Sequence, residues 1–196
     1  MEAVLYRKEL LVIAVIGIFL LGLSLTISCN DLPEGDILKH AELSKDAANL
    51  VNITGTTEKW VLRYHAVDEI GITLQAKYYE KGKERTGQSP SFSGNIEGEG
   101  LLVLDYKEGD LLMGIGDDGG HQTIQTTLEK PEISGNVKQF LEEPIVLGKG
   151  SHPIGAVIMS KNGRIHSRGI TDQEAIDFSV ENNDYAVIFT VEVHSE

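Results

Sequence analysis

From Trp60 onward the chain alternates between apolar and polar positions. Trp60, Leu62, Tyr64 and Ala66 share one face, and Val61, Arg63, His65 and Val67 share the other. Over residues 72–79, Ile72, Leu74, Ala76 and Tyr78 lie opposite Thr73, Gln75, Lys77 and Tyr79. A period of two predicts half-buried strands. The break at Asp68–Gly71 predicts a turn, and so a hairpin. The stretch EKGKERTGQSPSFSGN, residues 80–95, predicts a long polar loop with Gly and Pro.

Short runs follow at regular intervals. GLLVLDY (100–106), LLMGIG (111–116) and HQTIQTTLE (121–129) each predict a strand, with KEGD and DDGG as turns between them. ISGNVKQFL (133–141) fits a strand or a short helix, and PIVLGKG (144–150) a strand. In IGAVIMSKNGRIHSRGI (154–170), Asn162-Gly163 suits the positive φ angles of a type I′ turn and predicts a hairpin. Thr171 or Asp172 is placed to cap a helix over TDQEAIDFSV. DYAVIFTVEVH (184–194) reads as a last strand. About eight or nine short strands with no long amphipathic helix favour a mainly β fold, an antiparallel β-sandwich of immunoglobulin-like or similar type, over a parallel α/β sheet.

The N-terminus is different. Leu10–Ile27 is a run of eighteen residues without a charge, preceded by Arg7, Lys8 and Glu9. It is long enough to span a bilayer as a helix, with the basic pair holding its start in the cytoplasm. It also has the charged start and apolar middle of a secretory signal. The ending, Leu25-Thr26-Ile27-Ser28-Cys29, resembles the lipobox of bacterial lipoproteins. The family usually has Leu where Thr26 stands. The resemblance implies that Cys29 is diacylated, that the chain is cut before it, and that two acyl chains hold the body at the membrane. Ile53–Ala66, ITGTTEKWVLRYHA, is similar to a stretch near the start of small Gram-positive lipoproteins. That likeness implies no activity. Both readings of the leader put the body outside the cytoplasmic membrane.

The expected organisation is a signal peptide or uncleaved anchor over 1–28, a polar tether over 29–50 with a weak helical pattern around Ile37–Leu50, and a β-sandwich over 51–196.

Charge narrows the partners. The chain has 17 Lys+Arg against 30 Asp+Glu, a net charge of −13. Arg7 and Lys8 cancel Glu2 and Glu9, so the remainder carries all of it. That argues against a nucleic-acid partner, whose binding depends on Lys and Arg displacing counterions. Cys29 is the single cysteine. The body therefore has no disulfide, no Cys-ligated zinc or iron–sulfur site and no catalytic thiol.

Several stretches are candidates for chemistry. GIGDDG, Gly114–Gly119, fits G-x-G-x-x-G, but the strand-like HQTIQTT follows it where a dinucleotide fingerprint needs a helix. It is most simply a glycine-rich turn. The same loop offers Asp117 and Asp118 as hard oxygen ligands for Ca²⁺, with Glu97 and Glu99 on a separate segment. Six histidines are scattered without metal-ligand spacing. Ser151 adjoins His152, but neighbours in a strand point to opposite faces. Trp60 shares its face with Leu62 and Ala66, which favours the core over an exposed platform beside Tyr64, Tyr78 or Tyr79 for stacking on a sugar or peptide.

The sequence thus points to a membrane-anchored extracytoplasmic lipoprotein that acts by binding an envelope protein or cell-wall partner, with no cofactor and no catalytic residue. One alternative is a small-ligand or Ca²⁺ module at Asp117–Asp118. Another is an envelope hydrolase using His121 or His152.

Overall fold

The computed structural model describes residues 35–41, 60–117 and 120–194. The apolar leader, Cys29 and Asp118 lie outside the described residues. Among the described residues, no helix is long and apolar enough to cross a membrane.

The fold is mainly β and antiparallel, as the alternation predicts. Among the described residues ten strands form one sheet: β1 (Ile37–His40), β2 (Trp60–Glu80), β3 (Lys83–Glu84), β4 (Ser91–Lys107), β5 (Asp110–Asp117), β6 (Gly120–Thr127), β7 (Gly135–Phe140), β8 (Ile145–Val146), β9 (Gly150–Ser160) and β10 (Tyr185–His194). The main order is β6-β5-β4-β2-β10-β9-β7, with β1 beside β2 and β8, and β3 beside β2. The sheet curls into a sandwich-like pair of facing layers. Trp60 on β2 lies 3.8 Å, ring centre to ring centre, from Phe140 on β7. Tyr106 on β4 donates its hydroxyl to Met159 Sδ on β9 at 3.8 Å. Neither pair of strands is adjacent in the sheet.

The hairpin expected at Asp68–Gly71 is instead an irregularity within one strand. Both halves of β2 pair with β4: Trp60–Ala66 against Leu104–Gly98, then Ile70–Gln75 against Ile96–Ser91. Val67, Asp68 and Glu69 together face Glu97, the extra residues of a bulge. A tight two-residue hairpin needs positive φ, and none of these residues has it. The edge of β2 opposite β4 is taken in two successive stretches, one on each side of the bulge. β1 pairs along Leu62–His65, and β10 along Gly71–Glu80. β1 falls within the stretch expected to be a tether, and its Leu38 is fully buried in the core.

The expected loop at 80–95 is mostly ordered. Lys81 and Gly82, with φ of 49° and 78°, make the tight turn from β2 to β3, and β4 already begins at Ser91. Glu108 and Gly109, with φ of 53° and 99°, join β4 to β5 in the same way. Asn162-Gly163 does not make a hairpin. β9 already pairs with β10 on one edge and β7 on the other, so a third strand has no hydrogen bonds left to take. Asn162 Oδ1 instead accepts from Ser160 Oγ and the Arg164 amide, an Asx-type turn that ends the strand.

The chain then leaves the sheet and returns as α1 (Gln173–Glu181). Asp172 caps it, accepting from the Ala175 amide at 2.8 Å. Ile176 and Val180 pack with Ile170 onto Ala156, Ile158, Ala186 and Ile188, on the outer face of β9 and β10. The other face of β10, from Tyr185 to Val193, belongs to the main core between the layers. β10 is buried on both faces, which explains its nearly continuous apolar run.

Candidate functional site

The curl leaves an opening at one end, where the β4–β5 turn faces β7 and β9. A cleft of ≈780 Å³ lies there. Tyr106, Val157 and Met159 form its floor and are almost completely buried. Pro131 and Ile133 contribute an apolar wall, from the segment that links β6 to β7. Lys107, Lys130 and Lys138 stand around it with Glu108 and Glu132. Lys130 Nζ lies 2.6 Å from Glu108 Oε2, and that hydrogen bond and charge hold the Glu108 carboxyl below its usual range. At the floor, burial pushes the Tyr106 phenol up to about 12. Tyr106 is therefore a neutral hydroxyl, and its proton is engaged with Met159. The cleft offers an apolar seat with a mixed, lysine-rich rim.

The residues singled out in the sequence are distributed elsewhere. Asp117 ends β5, is exposed, and accepts the Gly120 amide at 3.0 Å through Oδ1. Glu99, Asp117 and His121 share a shallow depression of ≈670 Å³ over the outer face of β4, β5 and β6, where Gly114 and Gly116 lack side chains. Glu99 also lies 3.8 Å from Arg63. Among the described residues, no group of three or more His, Cys, Asp and Glu is arranged to hold a metal ion. Gly114 and Gly116 sit within β5, and a strand rather than a helix follows them, so no helix N-terminus meets a phosphate there.

His121 and His152 are not brought together. Four strands separate β6 from β9 in the sheet order. His152 Nε2 lies 2.5 Å from the Gly148 carbonyl, which can only accept, so this nitrogen is a donor and not a base. Trp60 is in the core, against Phe140 and Phe189. Lys138 Nζ lies 5.5 Å from the centre of its ring.

The cleft itself had no sequence signature. Its lysines come from three separate segments, and Tyr106 is in phase with Leu102 and Leu104 as an ordinary core position. Only the curl of the sheet gathers them. No protein-family model matches the chain, and neither does any curated protein or solved structure.

Proposed function

We propose that this chain is a lipid-tethered, extracytoplasmic binding protein that engages its partner at the open end of the curled sheet, without catalysis. The cleft carries the reading. It joins an apolar floor to a rim with three lysines and two glutamates, in a chain whose net charge is −13. A ligand or peptide with an apolar part and a negative group suits that surface: the apolar part covers Tyr106 and Met159, and the lysines meet the charge. The leader ending at Cys29 supports the tether, since a lipid on that thiol would hold the body at the outer surface of the membrane.

The test uses a photo-crosslinking side chain at Asn136, which lies on the cleft and is exposed. In intact cells it should give a reproducible adduct. Ile133→Trp, which narrows the cleft from an exposed wall position, should suppress that adduct while leaving the melting temperature unchanged, and a probe at Glu181 on α1 should give none. Equal adducts from both positions, or an adduct that Ile133→Trp leaves unchanged, would count against the cleft. The tether is checked separately. A labelled fatty acid should mark the wild type and spare Cys29→Ala.

A further inference from the structure

Among the described residues β6 is an end strand of the sheet, with no strand along its outer edge. Leu128 donates its amide to the Gly109 carbonyl at 2.8 Å, one step beyond the Asp110–Thr127 pair. In an antiparallel ladder hydrogen-bonded and non-bonded pairs alternate, so Thr126, Ile124, Gln122 and Gly120 also bond toward β5. His121, Thr123, Gln125 and Thr127 therefore point their N–H and C=O groups away from the fold. All four are exposed.

Edge strands are normally guarded by a charge, a proline, a bulge or extreme shortness. β6 has none of these. It is eight residues long, pairs with β5 without a register shift, and contains no Lys, Arg, Asp, Glu or Pro. The opposite edge, β7, is shorter and carries Lys138 at its centre. In a chain of net charge −13, an uncharged edge is the place where a second copy can approach without like charges meeting across the seam.

We propose that two copies of this chain pair antiparallel through β6 around a two-fold axis at Ile124. This register sets Thr123 opposite Gln125 of the second copy and His121 opposite Thr127 of the second copy. All four outward-facing residues of each strand are then used, for up to about eight main-chain hydrogen bonds. The ends also match in polarity. Thr127 donates to Asp110 at 2.9 Å, so the imidazole of each His121 arrives one strand away from a carboxylate of the other copy. The two sheets become one.

The test is the mass of the full chain in mild detergent, read by sedimentation over a dilution series. The wild type should be a dimer. T123K/Q125K places a lysine against a lysine at two points in the seam and should weaken association by about tenfold or more. T123K/Q125E places opposite charges at the same two points and should restore it. These side chains are exposed, so at dilutions where the wild type is also dissociated both variants should melt with it. Gln125→Pro is a second probe: it removes an outward N–H, leaves the β5 ladder whole, and should also favour the monomer. A wild type that stays monomeric overturns the proposal. So does a dimer that T123K/Q125K and T123K/Q125E weaken equally or leave intact.

Discussion

Replacing Gly100 by Ala tests how the inner face of the curl is packed. Gly100 pairs with Tyr64 on β2 and with Asp117 on β5. Its φ is not positive, so the backbone itself permits a side chain. The space does not. A Cβ would overlap Tyr64 Oη and Cζ and would sit 2.5 Å from the Gly116 carbonyl oxygen. Tyr64 is 1% exposed, and the carbonyl moves only with β5, so neither obstacle yields cheaply. Overpacking of this kind costs about 1–3 kcal/mol, and the backbone obstacle argues for the upper end. The lost freedom of glycine in the unfolded chain returns only about 0.4–1 kcal/mol. The expected net loss is about 2 kcal/mol, or roughly 4–8 °C in Tm for a chain of this size. Tyr64→Phe should act in the other direction. Its hydroxyl is buried without a hydrogen-bond partner, so removing it should stabilise by about 1 kcal/mol. In the double variant the Oη overlap disappears while those with Cζ and the Gly116 carbonyl stay, so it should be more stable than the sum of the two single effects by about 1 kcal/mol. Urea unfolding followed by Trp60 fluorescence reads all four proteins, since the single tryptophan is in the core. Gly100→Ala within about 0.5 kcal/mol of wild type would refute the close approach. Tyr64→Phe losing more than about 1 kcal/mol would show that the hydroxyl has a partner.

Three further outcomes follow from the same structure. Burial raises Tyr78 and pushes Tyr106 to about 12, so folding favours their neutral forms; stability should hold up to the ordinary phenol value of 10.0 and fall as pH rises towards 12, by about 1.4 kcal/mol per pH unit for each held phenol. Phenolate absorbance should then rise in step with loss of β circular dichroism, and Tyr106→Phe should flatten the fall; ionisation of all six tyrosines before unfolding would contradict this. Asp172→Ala removes the cap that accepts the Ala175 amide and should cost about 1 kcal/mol, read as a shift in the urea midpoint at unchanged slope. Gly109→Ala puts a side chain at φ +99° with its Cβ 3.0 Å from the Leu128 carbonyl, and should cost about 1–2 kcal/mol or more in thermal unfolding.

Much of the sheet was legible because burial follows strand parity. From Trp60 to Tyr78 the even positions face the core on both sides of the bulge, and β10 is apolar on both faces because it is covered on both. The Asp172 cap could also be read directly, since its interaction spans three residues. Partners were harder. A strand's neighbours depend on which edges are already taken, and that is a property of the whole sheet. Asn162-Gly163 has good hairpin chemistry, yet β9 had no free edge, while the less conspicuous Lys81-Gly82 and Glu108-Gly109 made the tight turns. Ile37–His40 looked like tether because four residues are too few to display a period, and only pairing with β2 and β8 defines them as a strand.

Charge suggests why the two proposed surfaces lie where they do. A net charge of −13 makes approach of another acidic surface unfavourable over most of the body, through a field that salt screens but does not remove at contact. Two places depart from that average. The rim of the cleft has more lysines than glutamates, and the edge of β6 has no charge. The first is gathered from several segments and the second is a single strand. The first suits a negative group on a partner, and the second suits a copy of an equally acidic chain. If both are used, pairing through β6 keeps the floor of each cleft outside the seam, because Tyr106, Val157 and Met159 belong to β4 and β9. A dimer tethered as proposed would then present two binding sites side by side, and a partner could meet both through the same linkage. Weak binding at each cleft would be strengthened by the second, provided the partner spans them. T123K/Q125K should therefore lower crosslinking at Asn136 for a multivalent partner and leave it unchanged for a small ligand.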